Sequence, residues 1–381
     1  MGLPIPYRTR IDLQPSGAYV MTNADRPQFV GRGAQISPAN RYQSIHVEDV
    51  FDQVEHDAEY LQQRQRVRTE YYVDDSQSII SKNDSPDIPF RYSLNAYRGC
   101  SHGCAYCYAR PTHEYLGLSA GLDFETKIFV KPRAAELLQQ FLARPGWQAQ
   151  PIMMSGVTDC YQPAEKQFRL TRQCLEVAWA TRQPITIVTK NAWITRDIDI
   201  LTNMASQRLI SVAISLTSLD QSLTRVLEPR TSAPEARLKA IAQLRSAGVP
   251  VAAMLAPLIP GLNDEELGPL LAAASEHGAQ WANYTLVRLP LTVRPIFLDW
   301  LAQHAPTKRE RVEQRIRAMR QGKLNDANFG SRLRGTGFMS EQIEQIFQLL
   351  AKKYGLDRPL PELDCTHFIP PVQPGGQMSL F

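Results

Sequence analysis

Residues 98–107 read RGCSHGCAYC and place Cys100, Cys104 and Cys107 within eight positions of one another. The spacing is C-x3-C-x2-C, and Tyr106 stands directly before the third cysteine. A short loop of this kind can wrap three thiolates around one inorganic cluster, and three thiolates leave one iron of a cubane [4Fe–4S] cluster without a protein ligand. Such an open iron can bind and activate a small molecule. The stretch therefore predicts an iron–sulfur site held by these three cysteines.

A zinc site and a disulfide framework are the alternative explanations of three close cysteines. Zinc would need a fourth ligand, for which His102 or His113 is available. Structural zinc sites usually take two C-x2-C pairs, or one pair with two histidines, whereas this chain has the single pair Cys104 and Cys107. A disulfide framework is typical of small secreted proteins, and no signal peptide is expected at the start of this chain. The remaining cysteines are scattered: Cys160, Cys174 and Cys365.

Composition and charge narrow the class of protein. Of 381 residues, 43% are hydrophobic, and no apolar run is long enough to span a bilayer, so we expect a cytoplasmic protein without a membrane segment. Residues 1–85 carry nine Lys/Arg and twelve Asp/Glu, whereas residues 306–334 carry nine Lys/Arg and three Asp/Glu. The late basic stretch is therefore a candidate nucleic-acid footprint, and a solvated helix face is the alternative explanation.

The chain divides into four predicted parts. Residues 1–85 form a polar N-terminal extension, whose last part, 69–80, is expected to add a strand or two beside the main domain. Residues 86–305 form the core, residues 306–369 a basic helical segment, and residues 370–381 a flexible Pro/Gly-rich tail. The predicted core strands are 92–97, 151–156, 185–189, 211–215, 249–256 and 281–289. The predicted helices are 134–143, 165–181, 197–204, 233–247, 265–277, 308–321 and 340–354.

Alternation of short β-branched runs with amphipathic helices predicts a parallel sheet with right-handed crossovers. Six strand–helix units are too few for a closed eight-unit barrel. The predicted fold is therefore α/β, a partial (β/α)6 TIM-like barrel with N- and C-terminal extensions. The cysteine loop follows the first predicted core strand, and the loops after the strands form the active face of such a barrel.

The cysteine motif resembles the signature of the radical S-adenosylmethionine (SAM) enzymes. Within that superfamily the chain is most similar to the spore photoproduct lyase-like branch, on the residues Cys104 to Tyr108, Thr158-Asp159, Thr189-Lys190 and Ser215 to Asp220. The resemblance implies a partial barrel, a [4Fe–4S] cluster whose open iron is chelated by SAM, and reductive cleavage of SAM to a 5′-deoxyadenosyl radical. It also implies an external one-electron donor such as flavodoxin or ferredoxin.

Polar side chains at the ends of the other strands are the candidates for holding SAM. Lys190 ends the third core strand and is the candidate cation for the SAM carboxylate. Thr158 and Ser215 are candidate hydroxyl partners, the sixth predicted strand carries Arg288, and Tyr106 is expected to lean its ring on the cofactor.

One position departs from the spore photoproduct lyase pattern. In that lyase a cysteine just before the Ser/Thr-Asp pair returns a hydrogen atom to the product radical, whereas here Gly156-Val157 occupies that place. Cys160 lies just beyond Asp159 and is a candidate displaced donor, although a buried structural role is the alternative. The lyase's substrate therefore does not carry over directly.

Two features indicate DNA as the substrate: the basic stretch 306–334 and the last five residues of the sequence. Gln377, Met378, Ser379, Leu380 and Phe381 resemble the peptide by which bacterial DNA repair proteins dock on the sliding clamp. We therefore predict a radical SAM enzyme that acts on DNA, with lyase chemistry as in repair. Radical chemistry on a peptide or small metabolite is one alternative, and a non-catalytic metal-binding interaction protein is another.

Overall fold

Ten short strands form two sheets in the protein. The computed structural model describes residues 29–42 and 67–371. The strands are β1 (Glu70–Val73), β2 (Ile80–Lys82), β3 (Tyr92–Leu94), β4 (Tyr97–Arg98), β5 (Lys127–Val130), β6 (Ile152–Met154), β7 (Ile185–Thr189), β8 (Ile210–Ser215), β9 (Val251–Leu258) and β10 (Trp281–Leu286).

The larger sheet has the strand order β10-β9-β8-β7-β6-β3-β2. Its six strands β3 and β6 to β10 run parallel, and β2 pairs antiparallel with β3 at one edge. Among the described residues β2 and β10 do not pair, so the barrel stays open. The predicted partial (β/α)6 barrel is therefore confirmed. The smaller sheet has the order β1-β5-β4; β1 lies within 69–80, where a strand or two was expected, and β2 begins at the last residue of that range.

Helices connect the parallel strands and cover the sheet. The bounds of the α-helices are Leu122–Thr126, Ala134–Leu142, Glu165–Phe168, Leu170–Ala180, Ile198–Ser206, Gln221–Leu227, Pro234–Ser246, Leu267–Glu276, Val293–His304, Arg309–Ala318, Ser331–Arg334 and Phe338–Lys353. Four 3-10 helices span Arg110–Leu116, Ala192–Asp197, Asp264–Glu266 and Pro306–Lys308. The predicted helix 165–181 is interrupted at Arg169, which adopts a left-handed φ of 52°. The helix Val293–His304 was not predicted; its Pro295 lies in the first turn, where proline is tolerated.

Two hydrophobic clusters fix the position of the site. The main core lies between the parallel sheet and its helices. Cys104 and Tyr106 of the cysteine loop belong to a second cluster. This cluster also contains side chains of the helices Val293–His304 and Arg309–Ala318. Trp300 is buried in it and donates its indole N–H to the carbonyl of Val226 at 2.9 Å. The loop is therefore held in place by packing against this second hydrophobic cluster.

The C-terminal segment covers the open edge at β10. The N–H of Ala282 donates to the carbonyl of Leu356 at 3.0 Å, and the ring of Phe347 lies 4.8 Å from that of Tyr284. Covering an exposed strand edge removes a template for unwanted pairing. Within the described part of the chain, no helix has the length and apolar character needed to cross a membrane. The clamp-like peptide 377–381 lies outside the described residues.

Candidate active site

The cysteine loop connects β4 to the 3-10 helix Arg110–Leu116. Two glycines allow its tight path, because Gly99 and Gly103 have φ values of 78° and 70°. A Cβ on Gly99 would come 2.8 Å from Cε1 of His113, so the position has no room for a side chain. The N–H of Cys100 donates to the carbonyl of Phe124 at 2.9 Å. The loop is therefore fixed by its own backbone as well as by packing.

The three cysteines fit an iron–sulfur cluster by burial and by donor chemistry. Cys100 and Cys104 are 7% and 8% exposed, Cys107 is half-buried, and all three are free thiols. Burial, together with the nearby charges of Asp159 and Cys107, raises the pKa of the Cys100 thiol to about 12. A bound cationic cluster would supply the positive charge that buried thiolates need. The predicted ligand set is thus chemically coherent.

Neither histidine near the three cysteines is free to act as the fourth ligand of a zinc ion. His113 donates from Nε2 to the carbonyl of Lys127 at 2.9 Å, and burial lowers the pKa of its imidazole to about 4. His102 lies between Asp159 and Asn191, with its Nδ1 3.4 Å from the Asp159 carboxylate. In the described ranges, no three His, Cys, Asp or Glu side chains group around a single metal ion. Both histidines therefore serve the protein's own hydrogen bonds.

A buried charge network supports the loop from below. The Tyr106 hydroxyl donates to the carboxylate of Glu228, which also accepts from Thr217 at 2.7 Å and pairs with Arg237 at 2.5 Å. Glu228 and Arg237 are each 1% exposed. Burial alone would raise the pKa of Glu228, but Arg237 and Lys190 lower it to about 2, so the carboxylate is ionised. We did not predict this network from the sequence.

Lys190 and Tyr106 lie together, as expected for a shared cofactor pocket. The ammonium of Lys190 is 5.9 Å from the centre of the Tyr106 ring and donates to the carbonyl of Ala256 at 3.2 Å. The Tyr106 hydroxyl is held by Glu228, so its polar tip is not free for a ligand, and the role of its ring toward SAM stays a prediction. Asp159 fixes the turn after β7 by accepting from the N–H of Lys190 at 2.8 Å.

Three of the candidate site residues are more deeply buried than the others: Thr158, Ser215 and Cys160. The Thr158 hydroxyl donates to the carbonyl of Tyr97 at 3.4 Å, and the carbonyl of Ser215 accepts from Arg237 at 3.0 Å. Cys160 is 6% exposed and packs in the main core. Their roles toward a cofactor, and the hydrogen donor role of Cys160, stay predictions.

Arg288 lies after β10 and faces an aromatic ring that directly follows the third cysteine. Its guanidinium is 5.6 Å from the centre of the Tyr108 ring, and Tyr108 donates its hydroxyl to the carbonyl of Gly156 at 2.7 Å. The Nε atom of Arg288 is buried and has no hydrogen-bond partner among the described residues. A buried N–H without a partner is costly, which indicates a position built for an anionic or carbonyl group.

The segment 29–42 lies against the back of the cysteine loop. The N–H groups of Gly33 and Ala34 donate to the Glu125 carboxylate at 3.2 and 2.8 Å, and Arg110 pairs with the same carboxylate at 2.5 Å. Arg110 also donates to the carbonyl of Cys104 at 2.8 Å. The N-terminal extension is thus linked to a cluster cysteine through two buried charges. The sequence contains Gly31-Arg32-Gly33, but this tripeptide alone does not predict the contact with Glu125.

Replacing Gly33 by alanine is expected to detach this segment. A Cβ at Gly33 would lie 1.7 Å from the carbonyl oxygen of Gly103, so the backbones must separate, at a cost of about 1–3 kcal/mol. Hydrogen exchange should then speed up at residues 29–42 and 100–107. Gly268→Ala is the matched control, because its Cβ meets only an ordinary contact at 3.7 Å in the first turn of the helix Leu267–Glu276. Unchanged exchange in Gly33→Ala would contradict the proposed docking.

Comparison with known proteins gives a family match over the middle of the chain. Residues 94–274 match the sequence model of the radical SAM superfamily. An uncharacterized protein of Mycobacterium tuberculosis (strain ATCC 25618 / H37Rv) is 39% identical over 221 residues, which span 58% of this chain and 65% of the relative. An uncharacterized protein of Methanocaldococcus jannaschii is 30% identical over 176 residues, which span 46% of this chain and 63% of the relative.

A solved structure shares the fold. Spore photoproduct lyase, in complex with a dinucleoside spore photoproduct, aligns over 74% of this chain and 79% of its own with a TM-score of 0.55 at 16% identity. At that identity the likeness concerns the fold alone. The family match, the parallel sheet and the cysteine loop agree on one assignment. Residues 94–274, which hold the cysteine loop and most of the parallel sheet, are therefore similar to the radical SAM superfamily.

Proposed function

We propose that this protein is an enzyme that cleaves SAM reductively and uses the resulting radical to abstract hydrogen from DNA. The observation that carries the first half is the loop of three cysteines, two of them buried and one half-buried, beside the carboxyl ends of the parallel strands. Cys100, Cys104 and Cys107 would hold the [4Fe–4S] cluster. When bound and reduced by one electron, the cluster and SAM supply methionine and a 5′-deoxyadenosyl radical.

The residues around the loop have distinct roles in this proposal. Lys190 would exchange the Ala256 carbonyl for the SAM carboxylate, which is a stronger partner for an ammonium because it is charged. The Tyr106 ring would border the cofactor, with its orientation fixed by Glu228. The buried base formed by Trp300 and its neighbours would exclude water from this side.

DNA as the substrate is supported by the Arg288–Tyr108 pair. Tyr108 is 50% exposed and offers a ring on which a base can stack, and the guanidinium of Arg288, 5.6 Å from the centre of that ring, brings a positive charge that suits a phosphate or a base edge. Stacking together with a guanidinium is a common way to hold an extruded or single-stranded base. Tyr108 follows the third cysteine directly, which would bring a bound substrate close to the radical's origin.

The basic stretch 306–334 gives weaker support for DNA than its composition suggests. Its arginines contact the chain itself: Arg315 pairs with Asp264 at 2.7 Å, Arg332 pairs with Asp87 at 2.6 Å, and Arg320 donates to the carbonyl of Val287 at 2.6 Å. Charges used inside the fold are not free for phosphates. We therefore assign the specific contact to Arg288. Clamp docking through residues 377–381 stays a prediction.

The test begins with anaerobic reconstitution by iron and sulfide. The reduced protein is expected to form 5′-deoxyadenosine from SAM, and DNA deuterated in the bases or sugars should transfer deuterium into that product. Deuterium transfer identifies the substrate directly. A protein that forms 5′-deoxyadenosine without DNA-dependent deuterium uptake would favour a peptide or small metabolite instead. A colourless protein that holds zinc and no iron would contradict the proposal that the protein is a radical SAM enzyme.

Replacing Arg288 by glutamine is expected to weaken DNA binding by about tenfold, which corresponds to about 1.4 kcal/mol. SAM cleavage without DNA should remain if Arg288 contacts the substrate, and should fall if it holds SAM, as the sequence first suggested. Fluorescence anisotropy with labelled single-stranded and duplex DNA measures the first effect. Arg317→Gln is the matched control, because its guanidinium donates to the nearby carbonyl of Gly322 on the surface.

A further inference from the structure

A small cationic cleft opens next to the cysteine loop, apart from the Arg288–Tyr108 pair. Its volume is about 210 Å³. The lining combines the end of β7 with two neighbouring turns, and none of its residues is assigned above to SAM, the cluster or DNA. The residues used below are Gln162, Lys166, Asn191, Trp193 and Arg230.

Two lining side chains are bonded directly to the cysteine loop. Gln162 accepts from the N–H of Ser101 at 3.0 Å and donates to the carbonyl of Gly99 at 3.1 Å, so it brackets Cys100 on both sides. Asn191 lies 3.3 Å from Nε2 of His102. Gln162 is fully buried, so the floor of the cleft is one side chain away from the backbone of a cluster ligand. The cleft is thus a short route from the surface to the cluster site.

The rim of the cleft carries positive charge that the chain leaves uncompensated. Lys166 is exposed and lies 4.6 Å from the centre of the Trp193 ring, and Arg230 donates to the carbonyl of Gly31 at 3.1 Å. In the ranges that the structure describes, neither cation has a carboxylate at ion-pair distance. The carboxylates nearby, Glu165 and Asp197, are buried and paired with Arg196. Trp193 is 38% exposed, which adds an aromatic anchor to the rim.

We propose that this cleft is the docking surface for a small acidic protein that carries one electron, such as a flavodoxin or ferredoxin. This inference rests on the proposed function, because reductive cleavage of SAM requires an electron from outside the chain. In the step itself the carrier is oxidised by one electron and the cluster is reduced by one electron; no bond forms or breaks. Cationic residues around an exposed tryptophan suit a brief encounter with an acidic surface, since complementary charge speeds association without requiring a large interface.

The test compares two reductants on the reconstituted full-length protein. Lys166→Glu is expected to slow reduction of the cluster by reduced flavodoxin about tenfold, and Lys166→Gln less, when absorbance near 400 nm is followed by stopped flow. Reduction by dithionite, which needs no docking, should be equal in all variants. Raising the salt concentration should slow the wild type toward the Lys166→Glu rate. Lys352→Glu, on the helix beside β10, is the matched control and should behave as wild type.

The outcomes separate the docking surface from the proposed reaction. Cluster reduction is read without SAM, so the result does not depend on SAM cleavage or on DNA. The proposed docking surface is wrong if reduced flavodoxin and reduced ferredoxin each reduce the cluster of Lys166→Glu as fast as that of the wild type. A loss of DNA binding in Lys166→Glu, with carrier rates unchanged, would also overturn it and assign the cleft to phosphate contact. Slower reduction by dithionite as well would show a damaged cluster site and likewise contradict the inference.

Discussion

Replacing Cys100, Cys104 and Cys107 together by alanine is expected to abolish iron binding and to reduce 5′-deoxyadenosine formation to background. The three thiols are the only cysteines of this loop, and the neighbouring histidines are engaged by Lys127, Asp159 and Asn191. Among the described residues, neither of these histidines is therefore free to replace a lost thiolate. Iron and sulfide content, absorbance near 400 nm and product formation should fall together.

The control for this variant is Cys365→Ala. Cys365 is a free cysteine far along the chain, with its thiol 3.8 Å from the carbonyl of Leu363. It should keep the full iron content and activity. Each single cysteine replacement is also informative, because an iron site with two thiolates is expected to lose the cluster on purification. A triple variant that retained stoichiometric iron and sulfide would show that the cluster lies elsewhere.

Replacing Glu228 by alanine is expected to destabilise the protein by about 3–5 kcal/mol. The change leaves the buried guanidinium of Arg237 without its anion and the Tyr106 hydroxyl without its acceptor. Breaking a buried pair on one side costs more than removing both charges. The double variant Glu228→Leu/Arg237→Met should therefore be more stable than Glu228→Ala. Denaturant unfolding of the cluster-free protein measures the difference.

An exposed ion pair provides the contrast for this prediction. Glu235 and Lys239 pair at 2.7 Å on the surface of the helix Pro234–Ser246, and both side chains are mostly exposed. Glu235→Ala should leave the midpoint of unfolding unchanged within error, because exposed pairs contribute little. Equal midpoints for Glu228→Ala and Glu235→Ala would refute the structural role of the buried network. The loop should also bind iron less tightly in Glu228→Ala, because Tyr106 lies between two of the cysteines.

The fold was predictable because its signal is local. The strand Ile185–Thr189 was predicted to the residue, since a run of β-branched residues bounded by polar ones has one simple explanation. The break at Arg169 was not predicted, because a left-handed φ at an arginine leaves no mark in the pattern of apolar residues. The helix Val293–His304 was missed because Pro295 obscures its start.

The site was predictable only where its residues are close in sequence. Cys100, Cys104 and Cys107 share one loop, so their spacing carries the chemistry. The groups that hold this loop come from distant parts of the chain: Glu125 bonds Ala34, 91 positions away, and Glu228 bonds Tyr106, 122 positions away. A single sequence contains no signal for such pairs. The ion pairs of 306–334 were not predictable for the same reason, because their partners, Asp87 and Asp264, are remote in the sequence.

The contact between Gly33 and the cysteine loop determines the shortest fragment of this chain that can fold with an intact site. The superfamily match begins at residue 94, but a fragment cut there would leave the Glu125 carboxylate without two of its backbone donors and the back of the loop open to water and oxygen. Iron–sulfur clusters are sensitive to both solvent access and local hydrogen bonding. The unit that folds with an intact site is therefore longer than the region that the superfamily model matches, because it includes residues before position 94.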